Sequence, residues 1–436
     1  MSFESLFAPD FKGRPYWWEA AEPASPSPGE LPQRSDVVVV GGGYTGLSCA
    51  LELARRGTSV TVLDADAIGF NASSRNGGLV NGGLKLALAD MSGQLGAERA
   101  DRLVREAIGT LPFIEDLIGR EGIDCDFQRT GRFVCAYSRK HYDELAAKVD
   151  RIAELTGAPA YMVPPERQRE EIGSDHYRGG QLVEAAAGLH PAKYVRGLAQ
   201  AAERAGAMLF GKTRVTRLQR NGGRWQVETE RGAIACEEVM IGTNAYTGPA
   251  TPWLRRRVVP VASFLIATEP LPDALTRDLV PRGRVLADSR RVLSYFRLSP
   301  DGRRVLWGGR VGTAAMDPRE SGRRLHAMMC RVWPQLQDVR ITHSWTGNVA
   351  FTFDFIPHLG QHQGMHYALG CQGSGVAMQS WLGYQAARNM IGGPNEQSAF
   401  TGLPFPTIPL YDGRPWFLPG MLAWYKLRDH IDRLAG

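Results

Sequence analysis

Three glycines near the start of the chain have the spacing of a nucleotide-binding loop. Gly41, Gly43 and Gly46 form a G-x-G-x-x-G pattern, and Asp64 follows Gly46 by 18 residues. In such a loop the first glycine permits a tight turn, the second lets the backbone approach a diphosphate, and the third lets a helix pack on a strand. The helix N-terminus would bind the phosphates through its N–H groups and dipole. Asp64 would accept hydrogen bonds from the ribose hydroxyls of an adenosine.

This loop alone leaves the cofactor open, because NAD and FAD are both bound by the same arrangement. A glycine-rich turn that binds nothing is a further alternative. The acid at position 64 disfavours a cofactor that carries a 2′-phosphate on its ribose. The loop therefore predicts a dinucleotide site without identifying the nucleotide.

A second glycine-rich segment precedes a helical stretch nearer the end of the chain. Gly373 and Gly375 would leave N–H groups at the positive end of the helix dipole. Donors at that position stabilise negative charge, such as the charge on the pyrimidine edge of a reduced flavin. A plain N-terminal glycine cap is the alternative.

The elements around the first loop have the order of a βαβ unit. Residues 37–40 are a continuous run of valine, as in a parallel strand that is buried on both faces. Residues 47–56 have helical periodicity and end at Gly57, and residues 60–63 form a second apolar run. The loop is thus predicted to connect a buried strand to a helix, which is the context that a dinucleotide site requires.

The rest of the chain alternates between helical and extended patterns. Helices are predicted over 95–121, 140–156, 191–205 and 376–390, and strands near 133–137, 208–218, 225–229, 239–244 and 367–370. Residues 258–310 alternate between apolar and polar positions, as in an antiparallel sheet. Because parallel βα pieces occur at three separated places, we expect two domains between which the chain passes several times.

Composition excludes several classes of function. The net charge of +6 is mild for 436 residues, and the arginines are scattered, so we expect no nucleic-acid partner. The six cysteines form no C-x-x-C pair, which argues against dithiol chemistry and against a zinc site, and we expect no metal. No apolar stretch of about 18 residues occurs, so a cytoplasmic protein without a transmembrane span is expected. Residues 416–431 are amphipathic, which favours a packed or oligomer-facing helix over a membrane-surface helix.

Residues 69–78 resemble a segment of a known family. Their sequence GFNASSRNGG is similar to the GASGRNGG segment of the D-amino-acid-oxidase superfamily of FAD-dependent oxidoreductases, and especially of its γ-glutamylputrescine-oxidase-like branch. Asn71 and Ser74 replace two glycines of the family pattern. Four further segments follow in the family's order. Residues 242–247 resemble its ATNAYT strand end, and residues 295–298 with 307–310 resemble its YYRL…LFGG hairpin. Residues 354–360 resemble its D-x-x-P-x-x-G turn, and residues 370–376 resemble its G-x-x-G-x-G turn.

The resemblance implies an α/β fold with interleaved domains, in which a Rossmann-like FAD-binding domain lies below an antiparallel substrate-binding sheet. We expect an extended N-terminal arm at 1–34, fixed to the body by Tyr16, Trp17 and Trp18. The FAD-binding domain is expected to comprise 35–90, 180–250 and 345–395. The substrate-binding domain is expected to comprise 91–179 and 251–344, and a C-terminal extension 396–436.

The resemblance and the two glycine-rich segments together predict a set of site residues. On the sheet above the flavin, Tyr295, Arg297 and Arg310 are the catalytic candidates, and an arginine there would bind a substrate carboxylate through two hydrogen bonds. Strand arginines paired with surface acids are the alternative. The residues predicted to bind FAD are Gly41, Gly43, Tyr44, Thr45, Gly46, Asp64, Ala65, Ser73, Ser74, Arg75, Asn76, Gly77, Gly78, Val215, Thr243, Asn244, Gly347, Gly373, Ser374, Gly375 and Val376.

Three further residues have two interpretations each. His343 stands where sarcosine oxidases carry a flavin-linking cysteine, so a histidyl link is an alternative to the non-covalent FAD that we expect. His190 precedes a predicted helix start and has either a packing or a catalytic role. Lys85 is either a solvated lysine or a cation that activates dioxygen near the flavin.

The predicted function is the FAD-dependent oxidation of a C–N bond in a small amine or amino acid. Hydride loss gives an imine, which water hydrolyses to an aldehyde or keto acid. The branch resemblance favours a γ-glutamylated or similar carboxylate-bearing amine, with dioxygen as the acceptor and an oligomer as a possibility. A secondary amino acid oxidase, a quinone-linked dehydrogenase, an NAD-dependent dehydrogenase and a non-catalytic flavin-binding protein are the alternatives.

Overall fold

The computed structural model describes residues 5–23, 29–83, 86, 88–89, 91–392 and 397–434. The strands are β1 (Phe7–Lys12), β2 (Arg34–Val40), β3 (Val60–Leu63), β4 (Leu79–Asn81), β5 (Arg132–Cys135), β6 (Ala160–Val163), β7 (Gly180–Val183), β8 (Ala186–Gly188), β9 (Met208–Phe210), β10 (Val215–Asn221), β11 (Arg224–Thr229), β12 (Gly232–Ile241), β13 (Val259–Thr268), β14 (Val285–Asp288), β15 (Tyr295–Leu298), β16 (Val305–Gly309), β17 (Ile341–Phe351), β18 (His358–His362) and β19 (Met365–Leu369).

The helices follow in the same chain order. They are α1 (Tyr44–Arg55), α2 (Ala72–Arg75), α3 (Ser92–Leu95), α4 (Ala97–Glu121), α5 (Arg139–Ala146), α6 (Val149–Thr156), α7 (Pro191–Arg204), α8 (Pro252–Arg255), α9 (Asp273–Leu279), α10 (Pro318–Val332), α11 (Gly375–Ile391) and α12 (Leu418–Leu434). Short 3-10 turns lie at Tyr16–Glu19, Pro165–Glu170, Asn244–Tyr246 and Pro334–Leu336.

An eight-stranded sheet contains the predicted βαβ unit. Its main order is β10-β11-β12-β2-β3-β9, and β19 joins β12 and carries β18. β2 is parallel to both β3 and β12, and its valines are buried on both faces, with Val38 and Val39 fully enclosed. The Rossmann-like architecture expected from residues 37–63 is therefore confirmed.

Helices α1 and α11 pack against each other at very short range. A Cβ added at Gly383 of α11 would lie 2.1 Å from the carbonyl oxygen of Thr45, so a glycine is required at this crossing. The Ser48 hydroxyl donates to the Ser380 carbonyl at 2.7 Å, which fixes the register of the two helices. The two glycine-rich helix starts are thereby held on the same side of the sheet.

A nine-stranded sheet forms the second layer, in the order β1-β17-β13-β16-β15-β14-β5-β7-β6. Within this order, each strand from β17 through β13, β16 and β15 to β14 is antiparallel to the next, as the alternation over 258–310 predicts. Strands β14 and β5 are parallel. Beneath this sheet, Phe296 stacks on Trp307 with ring centroids 4.3 Å apart, and Trp333 meets both rings edge-on. This aromatic core supports the strands that carry the catalytic candidates.

The N-terminal arm is packed on the body as expected. Its first strand, β1, lies parallel to β17 at the sheet edge. Trp17 is fully buried and donates its indole N–H to the Asn76 carbonyl at 2.8 Å, and Trp18 donates to the Ser74 hydroxyl at 3.1 Å. The arm therefore supports a segment that is predicted to bind the cofactor.

Two local predictions differ from the structure. The helix predicted over 140–156 is two helices, α5 and α6, because the Lys148 N–H bonds three residues back to Leu145 and tightens the turn. The strand predicted over 208–218 is broken at Lys212, whose φ is +50°, since the chain there turns to bond with the backbone at 64 and 66. Residues 180–183 and 345–351, assigned in advance to the FAD-binding domain, lie in the nine-stranded sheet. The division into domains stays a prediction.

Helix α12 packs on the body with its acidic side. Asp429 and Asp432 are buried, and both contact Arg291, with Asp432 also paired to Lys140. Trp424 and Leu434 lie on its outer side and are exposed. Within the described ranges, no helix is both long and apolar enough to cross a membrane.

Candidate active site

One cavity of about 1480 Å³ is lined by residues of both sheets. Its wall includes the two glycine-rich helix starts, the segment around Arg75, and strands β13 to β15. Met421, Leu422 and Tyr425 of α12 close part of the wall. The cavity thus joins the predicted nucleotide site to the predicted substrate sheet.

The first glycine-rich loop has the geometry of a diphosphate cradle. Gly41 has φ +109°, which other residues rarely adopt. A Cβ at Gly46 would lie 1.9 Å from the Gly41 carbonyl oxygen, and a Cβ at Gly43 would lie 2.8 Å from the Ser73 hydroxyl. Each glycine therefore leaves space that a larger residue would fill. Gly46 does not line the cavity, because it lies at the contact between helix α1 and the end of strand β2.

Asp64 ends β3 and lines the cavity beside the loop. One carboxylate oxygen accepts the Gly42 N–H at 2.7 Å, and the other accepts the Asp66 N–H at 2.9 Å. Burial nevertheless raises the pKa of Asp64 to about 6, because desolvation outweighs these two bonds. Each oxygen keeps a further lone pair, so the carboxylate can accept ribose hydroxyls. Ala65, Val215 and the segment at 213–218 lie alongside it in the lining.

The segment at 71–78 is held by a hydrogen-bond network. The Ser73 hydroxyl accepts the Tyr44 N–H at 3.1 Å, and the Tyr44 hydroxyl donates to the Ser73 carbonyl at 2.5 Å. The Asn76 amide donates to the Tyr44 hydroxyl and accepts the Gly78 N–H. Ser73, Asn76 and Gly77 line the cavity. Ser74 and Gly78 do not, since Ser74 is buried against Trp18 and Gly78 packs on the Leu189 carbonyl.

Arg75 lines the cavity without an acidic partner among the described residues. Its guanidinium lies over the rings of Trp18 and Phe70, at 4.7 and 4.6 Å from their centroids. It donates to the carbonyls of Phe70 and Thr346 at 2.9 and 3.1 Å. Burial lowers the pKa of Arg75, yet the guanidinium remains a fixed positive charge. It therefore supplies positive potential where an anionic cofactor is expected.

The second glycine-rich turn approaches the cavity from the opposite side. Gly373, Ser374, Gly375 and Val376 all line it, as do Thr243, Asn244 and Gly347. The Asn244 side chain accepts the Gly370 N–H at 3.0 Å, so its role includes fixing this turn. Gln379 donates to the Gly370 carbonyl and accepts the Thr45 hydroxyl, both at 2.8 Å. The two helix starts are thus bridged by one side chain.

Tyr295 lies on the sheet side of the cavity, against the segment at 71–78. Its ring packs against two glycines, Gly308 and Gly77. A Cβ added at Gly308 would lie 2.2 Å from the Tyr295 ring, and a Cβ added at Gly77 would lie 2.9 Å from it. The hydroxyl bonds to the Ser263 hydroxyl at 2.9 Å, and burial raises the pKa of Tyr295 to about 12. Tyr295 is therefore a neutral hydroxyl at physiological pH.

Arg310 and Arg297 have different environments, although both were predicted to face the substrate. Arg310 lines the cavity, lies over Phe351 at 4.9 Å, and makes no hydrogen bond or ion pair with a described residue. Arg297 does not line the cavity, so the prediction that it grips a substrate carboxylate is corrected. Its guanidinium is buried and donates to the carbonyls of Gly78, Leu189 and Leu298, each at 3.0 Å.

The two histidines of uncertain role do not line the cavity. His343 faces the N-terminal arm, where its Nε2 lies 3.2 Å from Glu19 and its ring meets Tyr16 edge-on. His190 caps α7 by accepting the Lys193 N–H, and its ring packs on Trp17. Both positions favour packing over flavin attachment or catalysis. Lys85 lies outside the described residues.

Sequence reasoning missed one half-buried cation of the cavity. Arg132 begins β5 and lines the cavity, and its Nε is buried without a hydrogen-bond partner. Burial lowers the pKa of Arg132 to about 10. An arginine at the head of an otherwise apolar strand, RFVC, was the available signal.

Comparisons with known proteins agree with this geometry. The family described as DAO, FAD dependent oxidoreductase, matches residues 36–388. A probable oxidoreductase OrdL of Rhizobium meliloti is 32% identical over 99% of this chain and 100% of its own length. The gamma-glutamylputrescine oxidoreductase of Escherichia coli is 32% identical, over 91% of this chain and 93% of its own. The crystal structure of glycine oxidase from Geobacillus kaustophilus superposes with a TM-score of 0.71 at 21% identity, covering 87% of this chain and 99% of that one.

Proposed function

Because the chain belongs to the DAO family of FAD-dependent oxidoreductases, which act on C–N bonds of amines and amino acids, we propose that it oxidises a small amine that carries a carboxylate. The observation that carries this proposal is Arg310, an unpaired cation in the wall of the cavity. Such a cation is stabilised by an anionic ligand. The name of the Escherichia coli relative supports a substrate of the γ-glutamylputrescine type.

The residues that line the cavity fit FAD. Main-chain N–H groups at the start of α1 would hold its diphosphate, in the space that Gly41 and Gly43 leave free. Asp64 would accept its ribose hydroxyls, and the start of α11 would face its redox-active end with N–H groups. When bound, FAD supplies a two-electron acceptor for the hydride that leaves the substrate carbon. We expect non-covalent attachment, because His343 lies against the arm.

Arg310 would act on the substrate in two ways. In a substrate whose carboxylate lies near the reacting carbon, its guanidinium would bind that carboxylate through two hydrogen bonds. Its charge would also disfavour the protonated form of a nearby amine, so that the nitrogen keeps the lone pair that C–H cleavage requires. The neighbouring phenol of Tyr295 would stay neutral and orient the substrate through its hydroxyl, without serving as a base.

The electron acceptor and the location of the enzyme belong to this proposal. We expect dioxygen to reoxidise the flavin, in line with the name of a second relative, the glycine oxidase of Geobacillus kaustophilus, which is 25% identical over 86% of this chain. We expect a cytoplasmic enzyme, since all six cysteines are free.

Anaerobic titration tests the proposal. The purified holoenzyme is mixed with carboxylate-bearing amines under argon, and the absorbance of oxidised flavin is followed. Bleaching is the expected result, and oxygen consumption with peroxide release in air would identify an oxidase. A protein whose flavin no such amine bleaches would contradict the proposal. Bleaching without oxygen consumption would leave the substrate class standing and replace dioxygen by another acceptor.

In the same assay, with an amine whose carboxylate lies near the reacting carbon, Arg310→Met is expected to lower kcat/KM about a hundredfold or more, because two charge-assisted hydrogen bonds are lost. It should also move the acidic limb of the pH profile to higher pH, because the substrate amine is then protonated more readily. Arg323→Met, which removes a guanidinium held on the protein surface by Glu320 alone, is the matched control. A normal kcat/KM and pH profile in Arg310→Met would contradict the assignment.

A further inference from the structure

Arg132 is the second arginine of the cavity wall that lacks a partner. Four other arginines of the wall are engaged: Arg75 bonds to two carbonyls, Arg214 lies near Glu230, Arg290 pairs with Asp288, and Arg291 pairs with Asp429 and Asp432. Arg132 and Arg310 form no hydrogen bond or ion pair with any described residue. A guanidinium that lacks a partner inside a protein raises the free energy of the folded state. It cannot lower that free energy by losing its proton, because its pKa remains far above neutral.

The two unpaired arginines lie at different ends of the cavity. Gly308, Tyr295, Ala287 and Val134 are paired across β16, β15, β14 and β5, so they form one row over the sheet. The row spans three inter-strand spacings, or about 14 Å. Arg310 lies two residues beyond Gly308, directly after the end of β16. Arg132 lies two residues before Val134 on β5, which runs in the same direction as β16. Their Cα atoms are therefore roughly 20 Å apart.

The surroundings of the two arginines differ accordingly. Arg310 lies near Tyr295 and Cys371, beside the residues that fit the cofactor. The lining also includes Val134, two residues along β5 from Arg132, and His141, Glu144 and Lys148 of α5 and the turn that follows it. Helix α5 packs on β7, the strand paired with β5, since Gln181 opposite Val134 donates to the Leu145 carbonyl. None of these lining residues belongs to the predicted FAD-binding set. Arg132 is thus placed to meet a part of the substrate remote from the reacting carbon.

We propose that Arg132 binds the carboxylate at the far end of an elongated amine, so that the cavity selects substrates whose carboxylate and reacting amine are separated by a long chain. This inference deepens the proposed function and rests on it for the identity of the substrate. A γ-glutamylputrescine-type amine has the required form, with an amino-acid head remote from a terminal amine. In such an amine Arg132 binds the one carboxylate, and Arg310 lies at the amine end, where its charge disfavours protonation of the nitrogen.

A ligand without the reacting amine separates binding from turnover. γ-Glutamyl-n-butylamide keeps the remote carboxylate and cannot be oxidised at the terminal position, and γ-aminobutyryl-n-butylamide lacks only the carboxylate. Calorimetric titration of the FAD holoenzyme is expected to show binding of the first compound and about hundredfold weaker binding of the second. Arg132→Met should weaken the first about a hundredfold and change the second less than about threefold.

Two controls keep the test specific. Arg139→Met removes an exposed guanidinium of α5 that is paired with Asp143 and does not line the cavity, and it is expected to change the binding of either amide less than about threefold. Arg132→Met should not lower the melting temperature, because it replaces an uncompensated buried charge with an apolar side chain of similar length. Rescue of carboxylate binding by Arg132→Lys, in part, would further support a charge-based role.

The outcomes of the test are distinct. If Arg132→Met loses affinity for both amides equally, or for neither, the role of Arg132 is overturned. Failure of the wild-type holoenzyme to bind γ-glutamyl-n-butylamide would also overturn it. If that amide binds through Arg132 but no amine bleaches the flavin, the carboxylate site stands and the proposed oxidation fails. If short amino acids bleach the flavin while the amide does not bind, the oxidation stands and the remote site fails.

Discussion

Substitution of Gly46 by alanine tests the diphosphate cradle at its tightest contact. The new Cβ would lie 1.9 Å from the Gly41 carbonyl oxygen and 3.0 Å from Val39, whereas Cβ contacts below 3.0 Å essentially never occur. The start of α1 must therefore move by about 1 Å or more relative to the end of β2, which is enough to break hydrogen bonds from its N–H groups. If two charge-assisted bonds to the diphosphate are lost, at about 1.5 kcal/mol each, the affinity for FAD falls at least about 150-fold.

The assay is a fluorescence titration of apoprotein with FAD, alongside a thermal melt of the apoprotein. Gly109→Ala is the matched control, because Gly109 lies within α4 with open space around its Cβ. That variant should bind FAD normally and melt slightly higher, since alanine is favoured over glycine in a helix by up to about 1 kcal/mol. Gly46→Ala that binds FAD within threefold of the wild type would refute the reasoning about the cradle.

Three further substitutions test other contacts. Asp64→Asn should weaken FAD binding and remove its pH dependence. In the wild type, burial raises the pKa of Asp64 to about 6, so the affinity for FAD measured by titration should fall as the pH drops through 6 and the carboxylate takes up a proton. A flat pH profile of the wild-type affinity would contradict this. Arg297→Met should lower the free energy of unfolding by about 3 kcal/mol in a denaturant melt, because the carbonyls of Gly78, Leu189 and Leu298 each lose a hydrogen bond from its guanidinium, while the folded enzyme keeps a near-normal kcat. A large loss of kcat without loss of stability would restore a substrate role. Trp17→Phe should weaken FAD binding several-fold, because the Asn76 carbonyl loses its indole donor and the segment at 71–78 loosens, and unchanged affinity would show that the arm is not needed there.

The parts of the fold that depend on local sequence could be predicted. The valine run of β2, the glycines after it and the acid that ends β3 are adjacent in the chain, so their structure follows from strand and helix preferences. The second glycine-rich turn was predictable for the same reason. The arm was placed correctly on the body because two adjacent tryptophans in a proline-rich leader require burial.

The catalytic sheet could not be resolved in the same way. Tyr295 and Arg297 are two residues apart on β15 and were given one role, yet the Arg297 side chain bonds to carbonyls on two other segments, which no local pattern reveals. Arg132 was missed because β5 joins the substrate strands only through β14, about 150 residues later in the chain. The contribution of α12 to the cavity wall is equally non-local.

The most direct test of the account is a crystal structure of the FAD holoenzyme with γ-glutamyl-n-butylamide bound. We expect the diphosphate at the start of α1, the flavin facing the start of α11 within the cavity, and the ligand carboxylate at Arg132. A flavin or an amide bound outside this cavity, with Arg132 still unpaired, would contradict the central claim that cofactor and substrate meet in this cavity.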